Sequence, residues 1–265
     1  MVELVDLSGH VEEGQPLAGS ADETRIFTTL THEERGFQVK TELEERGRDS
    51  DTEYVRRHLR AEREGYNEEQ PMNRTLLLSE HGPTHVDAIN HLDPTSDLSI
   101  DDMSLDRFYS DAICLDVSDT THPNPITVDI LESALSTHGL NVREGDAVLV
   151  ETGNRRSNYS TTDKAKKRRY RNEFVGFEEA AVEFLVEKGT HALGIDSISV
   201  DHPTNIYPDY HFPVHALASR EELVIYENMA NLHEVAGQRF TLSAFPLKIR
   251  DGTGSPVRPV AILDA

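Results

Sequence analysis

The sequence contains no tryptophan and only one cysteine, and aromatic residues make up 6% of its 265 residues. A single cysteine cannot form an intrachain disulfide, and Cys114 lies in an apolar run where a small core residue is expected. No run approaches the roughly 18 apolar residues of a membrane-spanning helix, and the amino terminus lacks the basic-then-apolar pattern of a signal peptide. These absences predict a cytoplasmic protein that does not enter a membrane.

Basic residues are also scarce, because 26 Lys and Arg stand against 48 Asp and Glu, a formal net charge of −22. Such a charge repels nucleic acid and anionic membranes, so neither is expected as a partner. The acidic residues are spread along the chain, and we interpret them as adaptation of the surface to high salt, which screens their mutual repulsion. We therefore expect a salt-loving source organism. A surface that binds cations or a basic partner is the alternative interpretation.

The pattern of apolar residues predicts one domain over residues 1–265 with mixed strands and helices, an α/β or α+β class. Apolar runs rich in Val and Ile predict strands at 25–30, 75–78, 112–117, 147–151, 192–195, 223–226 and 245–249. Helical spacing is typical of 129–138 and 177–188, each with a glycine just beyond its end. Residues 42–67 are charged almost throughout and predict a helical insertion. The basic run 164–171 is interpreted as a solvated helix face or loop.

The segment from Ser79 to His91 directly follows a predicted strand and carries the densest chemistry, because His81, His85, Asp87 and His91 fall within eleven residues. The Gly82-Pro83 pair breaks the strand and places the following residues on a turn or loop. Thr84 is then expected to cap a short helix, with Asp87 in a variant capping box and His91 on the same helix face.

Imidazole and carboxylate groups at this spacing suit zinc, manganese or iron, and the lack of nearby cysteines argues against a purely structural zinc site. His81, His85 and Asp87 would supply three ligands and leave coordination positions open for water, as catalytic metal sites do. The alternative is a polar turn in which Asp87 caps a helix and the histidines are exposed.

A second group of candidates lies further along the chain. Glu227 ends an apolar strand, where a buried carboxylate needs a partner or a metal ion, although an exposed strand end would also accommodate it. His215 precedes Glu227 by twelve residues.

The first segment resembles the His-x-Gly-Thr-His-x-Asp-Ala-Pro-x-His motif of the cyclase family, which includes bacterial kynurenine formamidases and isatin hydrolases. In this sequence Pro83 replaces the family's glycine and Ile89 replaces its proline, but every residue with metal chemistry is kept. Further pieces along nearly the whole chain occur in the same order as in the family. Its opening is similar to Val5 to Ser8 with Pro16, and its central strand to Gly194 to Asp201. Its distal ligands are similar to His215 with Glu227-Asn228, and its C-terminal strand pair to Pro246 to Ile249 and Ser255 to Arg258.

The resemblance implies a swivelling β/β/α domain, which is a β-rich barrel-like core flanked by helices, assembled into a dimer or tetramer. It implies that His81, His85 and Asp87 bind one divalent ion, Zn or Mn, and that Asp87 bridges to a second ion held by His215 and Glu227. It also implies that His91 is the general acid and base.

The function expected from the resemblance is hydrolysis of a carbon–nitrogen bond in a small-molecule amide, with N-formylkynurenine as the leading substrate in an arylformamidase-like reaction. One alternative is an isatin-like lactam or a cyclic imide, which the same machinery would serve. A second alternative is a catalytically silent metal-binding protein, against which the presence of His91 beside a complete ligand set argues.

Overall fold

The computed structural model describes residues 2–16, 24–30, 72–91, 93, 95–206 and 209–263. These residues form two compact units, of which the first comprises Met1–Glu23 with Leu78–Ala265 and the second Thr24–Leu77. The described part of the second unit is an antiparallel pair of strands, Arg25–Leu30 and Asn73–Leu77, in which Arg25 pairs with Leu77. The predicted helical insertion at 42–67 lies outside the described residues. The organisation of residues 1–265 as one domain stays a prediction.

The described strands are β1 (Glu3–Asp6), β2 (Arg25–Leu30), β3 (Asn73–Leu77), β4 (His85–Asp87), β5 (Tyr109–Asp116), β6 (Ala147–Glu151), β7 (Ala192–Ile195), β8 (Val224–Glu227), β9 (Arg239–Ser243), β10 (Gly254–Pro256) and β11 (Val260–Leu263). The first unit is built on one nine-stranded mixed sheet with the order β1-β11-β9-β5-β6-β7-β8-β4-β10. Strands β5, β6, β7 and β8 are parallel to one another, and the pairs on either side of this group are antiparallel.

Among the described residues, six α-helices lie between the parallel strands. They are α1 (Val128–His138), α2 (Asn154–Asn158), α3 (Lys164–Asn172), α4 (Glu179–Glu187), α5 (Pro203–Ile206) and α6 (Pro213–Arg220). The local sequence sets the ends of α1, because the Thr127 side chain accepts a hydrogen bond from the Ile130 amide and Gly139 ends the helix in the left-handed conformation. No helix among the described residues combines the length and apolar character needed to span a membrane.

Alternating residues of the central strands supply two hydrophobic cores on opposite faces of the sheet. Cys114 and Leu149 belong to one core, whereas their neighbours Leu115 and Val150 belong to the other. The second core also contains buried residues of the helices, including Leu131 and Leu185. The mixed sheet flanked by helices confirms the predicted α/β class, and Cys114 is fully buried as expected.

Two local predictions are wrong. Residues 245–249 form no strand, because Pro246 has no amide to donate and the side chains of Phe245 and Leu247 are exposed. Residues 84–87 do not start a helix either, since His85–Asp87 is a strand hydrogen-bonded on both sides and a single 3-10 turn at Ile89–His91 follows it. Asp87 and His91 therefore do not share a helix face.

Candidate metal centre

The pairing of β4 between β8 and β10 brings the two halves of the candidate site together. His85 lies directly opposite Glu227 in the register of β4 and β8. His81 is contributed by the turn before β4, and His215 by helix α6. The structure thus gathers at one place residues that are up to 146 positions apart in the sequence, as His81 and Glu227 are.

Three imidazoles converge on the carboxylates of Asp87 and its neighbour Glu227. His81 Nδ1 is 2.7 Å and His85 Nε2 is 3.4 Å from Asp87 Oδ1. His215 Nε2 is 3.5 Å from Asp87 Oδ2 and 3.3 Å from Glu227 Oε1. His85 Nε2 is 3.5 Å from Glu227 Oε2. Each of these nitrogens therefore faces at least one carboxylate oxygen.

The ligand-type atoms form two sets, within each of which all the atoms lie within 4.8 Å of one another. One set is His81, Asp87 and His91, and the other is His85, Asp87 and Glu227. Asp87 belongs to both, which is the arrangement needed for a carboxylate shared by two ions. The assignment of individual residues to ions stays a prediction.

Hydrogen bonds to the far ring nitrogens fix how two of the histidines face the centre. His85 Nδ1 donates to the Pro83 carbonyl at 3.1 Å, and His215 Nδ1 donates to Asp201 Oδ2 at 2.5 Å. Each imidazole thereby presents Nε2 to the carboxylates. Partners of this kind, on the side of the ring away from the metal, are typical of histidine ligands.

The carboxylates of the centre are held ionised although they are buried. Burial raises the pKa of Asp87, but its contacts with His215, His81 and His85 outweigh burial and hold that pKa well below its usual range. Burial and the charge of Asp87 raise the pKa of Glu227. The contacts with His215 and His85 outweigh both effects, so that this pKa lies below its usual value.

The pKa values of the two buried imidazoles, His85 and His215, shift upward. Burial lowers the pKa of His85, but the contacts with Asp87 and Glu227 raise it overall to about 10. Burial likewise lowers the pKa of His215, while Asp201, Asp87 and Glu227 raise it well above its usual value. The two buried carboxylates are therefore stabilised by positive charge beside them, which either protonated imidazoles or a metal cation can supply.

The residues fit a divalent metal. Asp87 Oδ2 is a buried oxygen with no hydrogen-bond partner among the described residues, in a side chain that is 4% exposed. A buried carboxylate oxygen left unpaired is unfavourable, and a cation beside it would satisfy it. Imidazole and carboxylate donors without any thiolate suit zinc, manganese or iron.

His91 lies beside the centre on the 3-10 turn that follows β4. Its ring centroid is 4.0 Å from that of His81 and 5.8 Å from that of His215. Burial lowers the pKa of His91, and the neighbouring His81 and His215 lower it further, against the opposing effect of Asp87 and Glu227. The ring is therefore neutral at pH 7 and able to accept a proton.

All six residues predicted from the sequence are brought together, namely His81, His85, Asp87, His91, His215 and Glu227. The supporting residues Asp201, Thr253 and Glu80 were not predicted. Asp201 stands in the quoted stretch from Gly194 to Asp201, but only the fold shows that it contacts His215.

Pocket size alone does not mark this centre. An open pocket of about 850 Å³ lies where β6 and β7 begin, beside Gly145 and His191, and none of the six residues lines it. The convergence of ionisable side chains on Asp87 distinguishes the metal centre from this pocket.

Comparison with known proteins shows that the sequence matches a known protein family. Residues 5–202 match the family model named "Putative cyclase". Isatin hydrolase of Roseibium aggregatum is 26% identical over 204 residues, which cover 71% of this chain and 73% of that protein. Kynurenine formamidase of Bacillus cereus is 29% identical over 185 residues, covering 70% of this chain and 77% of that protein.

A solved structure shows the same fold. Isatin hydrolase A from Labrenzia aggregata, bound to benzyl benzoate, superposes with a TM-score of 0.76 at 21% identity, covering 100% of this chain and 94% of that chain. This likeness confirms the fold expected from the resemblance.

Proposed function

Because the chain belongs to the cyclase family, we propose that it is a metal-dependent hydrolase of a carbon–nitrogen bond in a formamide or a cyclic amide. The leading substrate is N-formylkynurenine, which would yield kynurenine and formate. The observation that carries the proposal is the convergence of three imidazoles and a second carboxylate on Asp87, with His91 beside them. Similarity to the kynurenine formamidase of Bacillus cereus supports the choice of substrate.

His81, His85 and Asp87 would hold one ion, and His215 and Glu227 would hold a second that shares Asp87. A bound divalent cation acts as a Lewis acid toward the amide carbonyl and brings the pKa of water from about 15.7 towards about 7. The Pro83 carbonyl and Asp201 keep Nε2 of His85 and of His215 turned toward the carboxylates, where each would be available to a metal ion.

His91 would move the proton. Its neutral ring accepts a proton from the attacking water, and the resulting imidazolium then gives that proton to the leaving nitrogen. An amine is a poor leaving group unless it is protonated, so this transfer is required for the carbon–nitrogen bond to break.

A lactam or cyclic imide is the second candidate substrate. Similarity to the isatin hydrolase of Roseibium aggregatum favours it, because opening a lactam ring also breaks a carbon–nitrogen bond and needs the same proton transfer. Hydrolysis of the formamide gives two separate products, whereas opening the lactam leaves the new carboxylate and the amine in one molecule.

The test is a hydrolysis assay of the purified protein with N-formylkynurenine, isatin and a simple cyclic imide, run beside elemental analysis. We expect one or two Zn or Mn ions per chain and turnover of one substrate well above the others. Preference for isatin would replace the formamidase proposal with the lactam alternative. A metal-loaded protein that hydrolyses none of the three would indicate the catalytically silent metal-binding alternative.

We also propose that the protein assembles into a dimer or tetramer, as the family resemblance implies. The cytoplasmic location stays a prediction. Light scattering of the purified protein measures the assembly, and a monomer would contradict it.

A further inference from the structure

The ring of His81 lies in a cradle formed by Thr253 and Gly254, at the start of β10. His81 Nε2 is 2.9 Å from Thr253 Oγ1. Gly254 pairs with Asp87 across β10 and β4, and a Cβ atom at this position would lie 2.6 Å from His81 Cε1 and 2.9 Å from the Val86 carbonyl oxygen. Only a residue without a side chain leaves room for the ring in this position.

Thr253 is itself held by Glu80. Its amide donates to Glu80 Oε2 at 2.8 Å, and its hydroxyl lies 3.1 Å from the same oxygen. Its carbonyl accepts from the Ala88 amide at 2.9 Å. A carboxylate can only accept, and it is a stronger acceptor than a neutral imidazole, so the hydroxyl proton points to Glu80.

With its proton directed to Glu80, Thr253 Oγ1 offers only lone pairs to His81. His81 Nε2 is then a protonated nitrogen, and Nδ1, 2.7 Å from Asp87 Oδ1, is the nitrogen whose lone pair is left for a cation that the Asp87 oxygen also contacts. His85 and His215 show the reverse arrangement, since their Nδ1 atoms donate and their Nε2 atoms face the centre.

We propose that Glu80 and Thr253 are positioning residues that fix the tautomer of His81, so that this histidine binds the metal through Nδ1. The inference rests on the proposed metal centre and deepens it, because it assigns the ligand atom and the two residues that select it. The opposite arrangement has Nδ1–H donating to Asp87 and the Thr253 hydroxyl donating to Nε2, which would remove His81 from the ligand set.

The first test measures zinc affinity by competition with a chelating indicator dye. Thr253→Val keeps the side-chain shape and removes the acceptor, and we expect zinc binding to weaken by about 10- to 100-fold. Thr253→Ser keeps the hydroxyl and should stay within about threefold of the wild type. Thr241→Val, in β9 and away from the centre, is the matched control, and thermal unfolding of each metal-free variant shows whether the fold is kept.

The second test identifies the nitrogen directly. Long-range ¹H–¹⁵N correlation spectra of histidine-labelled protein, with and without zinc, distinguish the two tautomers of His81, which His81→Ala assigns. We expect a proton on Nε2 and zinc on Nδ1.

The outcomes separate this inference from the proposed function. Zinc bound through Nε2 of His81, or zinc affinity unchanged in Thr253→Val, would overturn the role of Thr253 while the metal centre stands. A wild-type protein that binds no zinc or manganese would overturn both. Gly254→Ala provides an independent check, because displacement of the ring should weaken zinc binding in that variant as well.

Discussion

Asp201 Oδ2 accepts a hydrogen bond from His215 Nδ1 at 2.5 Å, and the same carboxylate caps the helix that carries His215. The amides of Val214 and His215 donate to Asp201 Oδ1 and Oδ2 at 2.8 and 3.1 Å. These amides belong to the first turn of α6, where helix donors have no partner within the helix. One buried carboxylate therefore sets both the start of the helix and the orientation of the ring.

Asp201→Asn is expected to weaken metal binding by about 10- to 100-fold, because the amide can accept from Val214 but places its own N–H groups against His215. The loss should appear in zinc titration and be accompanied by a lower unfolding temperature. Asp209→Asn, at an exposed position, is the matched control. Unchanged zinc affinity in Asp201→Asn would show that Asp201 does not position His215 for metal binding.

His85→Ala should lose bound metal. His85 is 2% exposed and its Nε2 faces both Asp87 and Glu227, so no solvent-exposed group can take its place. Elemental analysis of the purified variant measures the loss, and His233→Ala, at an exposed position, controls for removal of a histidine. Metal content equal to that of the wild type would break the ligand assignment.

The sequence predicts the chemistry of the centre better than its local geometry. His81, His85 and Asp87 are recognisable because they lie close together after an apolar run. The helix expected after Thr84 is a strand because β8 and β10 pair with it, and such long-range pairing leaves no trace in a local pattern. Thr253 reaches His81 across 172 positions, so neither spacing nor composition connects the two residues.

His91→Asn is expected to keep its metal and lose turnover. The variant removes the proton carrier but none of the ligands proposed for the metal, and general acid–base groups typically contribute about 10²- to 10⁴-fold to the rate. Steady-state assays and elemental analysis on the same sample measure both effects. Full activity would exclude His91 from the mechanism. Loss of metal would instead identify His91 as a ligand, in agreement with ligand-type atoms of His81, Asp87 and His91 that lie within 4.8 Å of one another.

The pH dependence of kcat/KM should report the lowered pKa of His91. The reaction needs the neutral ring, so activity is expected to be lost as pH falls through this pKa, on an acidic limb centred below about pH 6.5. Burial is the main cause of the lowering. The profile is measured at fixed, saturating metal concentration, since metal affinity also falls as ligands are protonated. A limb centred above pH 7 would contradict the assignment.

Glu151, at the end of β6, should destabilise the protein at alkaline pH. Its side chain is 4% exposed, Oε1 has no hydrogen-bond partner in the described part of the chain, and Arg156 Nη2 lies 3.5 Å from it. Burial and the charge of Asp196 raise its pKa to about 7. The folded protein therefore binds a proton that the unfolded chain releases near pH 4.3, and its stability falls as pH rises between these two values.

Glu151→Gln removes this titration while keeping the shape of the side chain. Relative to the wild type, we expect the variant to gain about 1 to 2 kcal/mol in the free energy of unfolding at pH 8, after screening by solvent and Arg156, and little below pH 4.5. Urea unfolding at both pH values measures the difference. Glu187→Gln, at the exposed end of α4, is the matched control. An equal effect of Glu151→Gln at both pH values would show that the carboxyl titrates normally in the folded protein.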